Sequence, residues 1–96
     1  MRESEQLQVL IDELNQQFER IKYTLIYYQR EQDTEGGRVY PGYYLLEKIE
    51  GVSDPKPGDW NFNEFINGQR LGENYKQAEV KLEIMLGKKY KLQNLF

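Results

Sequence analysis

From residue 4 to residue 30 the apolar positions follow one rule. Leu7, Ile11, Leu14, Phe18, Ile21, Leu25 and Tyr28 recur at spacings of 4, 3, 4, 3, 4 and 3, with Gln, Asp, Glu and Asn at most positions between them. Residues three and four apart share one side of an α-helix, so the spacing predicts a long amphipathic helix with a coiled-coil-like seam. Ser4 is placed to cap it, with Glu3 and Glu5 near the positive end of its dipole. Gly36-Gly37 keeps it from outlasting Thr34. Such a helix would be about 40 Å long, whereas a compact chain of this size is about 30 Å across. Part of the seam then projects or is covered by a second chain; packing on the C-terminal half of the same chain is the other solution.

One stretch competes with this reading. Ile21-Lys22-Tyr23-Thr24-Leu25-Ile26-Tyr27-Tyr28 is rich in strand-favouring residues, and a hairpin through Gly36-Gly37 to Arg38-Val39-Tyr40 would use it. The heptad runs through it unbroken, which favours the helix.

Beyond it the chain is punctuated. Pro41-Gly42 marks a turn, residues 43–50 read as a short helix or strand closed by Gly51, and SDPKPGD (53–59) reads as a loop. Asp59 can cap a short helix over 60–66 that stops at Asn67-Gly68. Residues 73–86 lie between Gly72 and Gly87 without internal Gly or Pro and are predicted helical, although Val80, Leu82, Ile84 and Leu86 also alternate as in a strand.

The predicted fold is therefore mainly α, a single domain over 1–96: a long helix (4–30), a turn-rich aromatic segment (31–59) and a helical C-terminal part (60–96) packed against the first helix. The alternative is α+β, a helix laid over one or two β-hairpins formed by residues 21–50 and 79–96.

Composition narrows the chemistry. The chain has neither histidine nor cysteine, which removes the commonest general base, the commonest transition-metal ligand and every thiolate site. The carboxylate pairs Asp12-Glu13, Glu47 with Glu50, and Asp54 with Asp59 have no apolar walls in the sequence to separate their pKa values. Gly36-Gly37-Arg38 lacks the Gly-Lys-Ser/Thr of a phosphate loop, and residues 31–35 are acidic without the spaced ligands of an EF-hand. No catalytic residue, metal site or cofactor is predicted, and the chain is read as non-enzymatic. No apolar run reaches the length of a membrane span, and the charged start gives no signal peptide; a cytoplasmic protein is the expectation.

Charge and aromatics point to partners. The net charge is −3, with four basic and eight acidic residues over 1–36 and five lysines against three glutamates over 72–96. Lys88, Lys89 and Lys91 surround Tyr90, which gives an alternative reading as a nucleic-acid-binding accessory protein; the acidity of the whole chain argues against that partner. Five of eight tyrosines fall within residues 25–46. Tyr40, Tyr43 and Tyr44 straddle the Pro-Gly turn, where no periodicity assigns them to a core, and together with Trp60 they form a candidate partner-binding patch. The expected function is protein interaction, as adaptor, assembly factor or inhibitor. The heptad residues Leu7, Ile11, Leu14, Phe18, Ile21, Leu25 and Tyr28 would be the interface with a protein partner or a second copy.

Overall fold

The first helix, α1, covers only Glu3–Gln17. Its last backbone bond runs from the Phe18 N–H to the Leu14 carbonyl (3.0 Å), and the chain then enters a strand, β1, over Ile21–Tyr28. The computed structural model describes residues 3–87. Over them the chain is α+β, which corrects the mainly α expectation and supports its alternative. The reason lies in the Ile21–Tyr28 stretch. Its β-branched and aromatic side chains bury better on a pleated surface than on a helix, and a partner strand is available.

That partner is β4 (Gly42–Ile49), antiparallel to β1 with Ile21 opposite Ile49, Tyr23 opposite Glu47, Leu25 opposite Leu45 and Tyr27 opposite Tyr43. The connection between them carries a two-stranded extension, β2 (Gln32–Thr34) and β3 (Gly37–Val39). A short helix, α2 (Phe62–Asn67), follows the loop after β4. Then β5 (Gln69–Gly72) joins the far side of β4, so that the sheet order is β1-β4-β5, and α3 (Tyr75–Leu86) ends the described part.

The helix ends show local causes. The Asn74 side chain accepts the Gln77 N–H (3.1 Å) to cap α3, which stops at Gly87 in the left-handed conformation (φ 76°). Asp59 does not cap α2 as expected: the N-cap is Asn61, without a side-chain bond, while Asp59 Oδ2 accepts the Lys56 N–H at 2.8 Å. The predicted stop at Asn67-Gly68 is where α2 ends. Gly68 has φ 87°, and a Cβ there would lie 3.0 Å from the Leu45 carbonyl, so glycine lets the chain turn tightly against β4 before β5 begins. Residues 79–86 are helical, which removes the second hairpin of the α+β alternative over that span; its remainder lies outside the described residues.

Alternation divides the sheet into two faces. On one, Tyr23, Tyr43, Leu45 and Leu71 meet Leu7, Ile11 and Leu14 from α1 and Ala78 and Leu82 from α3 in a single buried cluster. The coiled-coil interface is thereby corrected: Leu7, Ile11 and Leu14 are fully buried within their own chain, and Ile21, Leu25 and Tyr28 belong to a strand. Tyr28 does not even share a face with Ile21 and Leu25, because a spacing of three reverses direction along a strand. Phe18, just past the helix, is partly exposed and stacks edge-on against Tyr23 (6.2 Å).

On the other face the rings of Tyr28 and Tyr44 meet at 4.9 Å, and Lys48 lies over the Phe65 ring of α2. The tip of the β2–β3 hairpin docks there too. The Thr34 hydroxyl is 2.8 Å from Asn67 Oδ1, and a Cβ on Gly36 would come within 2.9 Å of both Asn67 and Ile66.

Candidate partner-binding groove

The two long edges of the β1–β4 pair are unlike. The Glu50 N–H donates to the Arg20 carbonyl (2.8 Å), and this bond sets the phase of the ladder. Hydrogen-bonded and non-bonded pairs alternate in an antiparallel pair. Lys22–Lys48 and Thr24–Leu46 are therefore bonded, while Ile21–Ile49, Tyr23–Glu47 and Leu25–Leu45 direct their N–H and C=O groups away from each other. On the β4 side Leu45 meets Gln69 of β5, but β5 begins there. Beyond its end, the backbone of Glu47 and the N–H of Ile49 have no protein partner among the described residues; the Ile49 carbonyl accepts the Val52 N–H at 3.4 Å.

This open edge is one wall of a groove of about 310 Å³. The opposite walls are Phe65, Glu64, Asn61 and Trp60 around α2, and Val52, Ser53, Asp54 and Pro55 in the loop. Local bonds hold that loop: the Lys56 N–H donates to Asp59 Oδ2, the Asp59 N–H returns to the Lys56 carbonyl (3.0 Å), and the Phe62 N–H donates to the Asp59 carbonyl (3.1 Å). Trp60 is thereby held on the rim with 91% of its surface in water, beside Val52 at 61% and Ile49 at 46%. The groove carries three carboxylates, Glu47, Asp54 and Glu64, against one ammonium group, Lys48. None of the four forms an ion pair with another described residue.

The aromatic patch expected from sequence is divided. Trp60 and Tyr40 are exposed, Tyr40 at 53%, but only Trp60 lines the groove. Tyr43 and Tyr44 are buried, on opposite faces of β4, which corrects their assignment to a recognition surface. Tyr43 packs on Tyr27 (4.7 Å), and the Tyr44 hydroxyl lies 3.2 Å from both the N–H and the carbonyl of Tyr40, pinning the crossing of the hairpin. Lys88, Lys89, Tyr90 and Lys91 lie outside the described residues.

Glu47, which the sequence offers only as one half of a carboxylate pair with Glu50, lines the groove together with Ile49 and Val52, which no sequence motif marks. The signal was available: apolar Ile49 and Val52 flank Gly51 immediately before a proline loop, where nothing in the pattern buries them.

Among the described residues no three acidic side chains gather to hold a metal ion. The acidic residues Glu31 and Asp33 both pair with Arg38, the latter at 3.2 Å, and the Arg38 guanidinium is held above its ordinary pKa by the Glu31 hydrogen bond and by the charges of both acids. Burial pushes the Tyr23 phenol up, and the neighbouring Glu47 charge adds to it. No helix among the described residues is long and apolar enough to cross a membrane. Compared with protein-family models, with curated proteins and with solved structures, the chain matches none.

Proposed function

We propose that this chain acts without catalysis, by binding another protein in the groove between the β4 edge and α2. The observation that carries the reading is Trp60. A tryptophan almost wholly in water on the rim of a concave site loses apolar surface to nothing in its own fold, and such residues dominate the energetics of interfaces. The groove's excess of carboxylates opposes a phosphate backbone, so nucleic acid is not the reading its charge favours.

The test is a paired capture from the native cell extract with wild-type chain and Trp60→Ala. A protein retained by the wild type and lost from the variant, whose purified form shifts Trp60 emission to shorter wavelength, supports the proposal. Identical captured sets from the two, with circular dichroism unchanged, would overturn it.

A further inference from the structure

The groove is bounded by backbone as well as by side chains, and this suggests its mode of recognition. Resting on the protein-binding reading above, we infer that the occupant is an extended segment added as a strand to β4 alongside Glu47 and Ile49, in which basic residues alternate with apolar ones.

Three observations converge. Glu47 presents both its N–H and its carbonyl to the groove and Ile49 presents its N–H, with no partner for any of these groups among the described residues. An unpaired row of this kind is a template for another strand. Second, the place is already aligned for one. The antiparallel β5 lies on this side of β4 as far as Gln69, and at Gly68 the chain turns away into α2. A segment lying end to end with β5 continues the sheet without displacing any ladder bond.

Third, the side chains specify the segment. A residue directly opposite Glu47 shares its face of the sheet, and opposite charges on such a pair attract. The residues before and after it face the other way, toward Phe65 and Trp60, and Asp54 and Glu64 add negative charge at the rim. Lys48, already lying over the Phe65 ring, disfavours a basic residue at those positions. The matching pattern is therefore Lys or Arg opposite Glu47, flanked by apolar or aromatic residues.

The probe is a blocked octapeptide of alternating Lys and Val, titrated into ¹⁵N-labelled full chain. Expected are shifts and slowed hydrogen exchange at the Glu47 and Ile49 amides together with a shift of the Trp60 indole. The same peptide with Glu for Lys should bind at least about fivefold more weakly. N-methylation at the Lys positions, which removes the donors facing Glu47, should weaken binding roughly tenfold or more. Glu47→Lys, an exposed change on the strand, should reverse the preference between the two peptides.

Movement of Trp60 without the two amides would overturn strand addition and leave the groove reading standing. An unchanged peptide ranking in Glu47→Lys would overturn the basic partner. Shifts of the two amides with protein concentration alone would overturn it as well, by making a second copy the occupant. Silence of both Trp60 and the amides with every peptide rejects the inference, while the paired capture judges the groove reading separately.

Discussion

Two rungs of one sheet end in opposite ways. At Tyr23 on β1 the outward N–H donates to Asn15 Oδ1 (2.7 Å) and the outward carbonyl accepts from Asn15 Nδ2 (3.1 Å). One side-chain amide from α1 thus supplies both bonds that a neighbouring strand would make. One rung along, the Ile21 N–H donates to the Phe18 carbonyl (3.2 Å). Across the sheet, Glu47 and Ile49 occupy the same two rungs; among the described residues Glu47 has no such cover on either group, and Ile49 only the Val52 N–H on its carbonyl. The difference is not one of exposure alone. A backbone group at an edge can be satisfied by water, but the Tyr23 side chain is buried, so its rung must be closed by the fold itself.

The comparison is sharpest under mutation of its closed side. Asn15→Ala removes two hydrogen bonds from a half-buried site and should destabilise the chain by about 1–3 kcal/mol, a fall in Tm of roughly 5–20 °C for a domain of this size. Thermal melts followed by circular dichroism check it; a change within experimental error would mean that water replaces the amide and that the edge was never closed. Asn15→Asp keeps an acceptor for the Tyr23 N–H but loses the donor to its carbonyl, and should fall at least as far as the loss of one bond requires.

A smaller effect links the two sides through pH. The Tyr23 phenol is raised above its ordinary value, first by burial and then by Glu47 opposite it. The folded state holds that proton more tightly than the unfolded chain does. The associated stability is therefore fully present below the unfolded value of about 10, and it is lost as pH rises through the raised folded value. Urea melts between neutral pH and pH 11 should show wild type losing more stability than Tyr23→Phe, and Glu47→Gln should reduce the excess. Equal slopes for all three chains would sever the connection between the rungs.

The smallest effect belongs to the open side. Trp60→Ala and Val52→Ser remove exposed groups and should change stability by no more than about 0.5 kcal/mol, while Trp60→Ala abolishes partner capture. A loss of stability comparable to that of Asn15→Ala would show that the groove is part of the core and not a surface kept free for binding.

How much of this was legible beforehand depended on whether a residue's partner lay nearby in sequence. Leu7, Ile11 and Leu14 declared a helix correctly, as did the Asn67-Gly68 and Gly87 stops, because helices answer to spacings of a few residues. Ile21 and Leu25 satisfy both a heptad and a strand alternation, and only pairing with residues 42–49 decides between them. The strand Gln69–Gly72 holds a single large apolar residue, Leu71, and owes its form to the β4 edge it lies against. The groove is harder still to foresee. Glu47, Val52, Trp60 and Phe65 are brought together by the return of α2 to β4, and of these only Trp60 was singled out from its chemistry as a contact residue.

The Asn15 amide has a consequence for assembly. A strand pair open on both sides at the same rungs can accept a neighbour on each, and repetition of that contact yields an unbounded ribbon. With the Tyr23 rung occupied from within, addition at this level is limited to one side. Asn15 in this sense sets a direction: at this level the β1 side of the sheet is closed by the fold itself, and growth could proceed only from the β4 side.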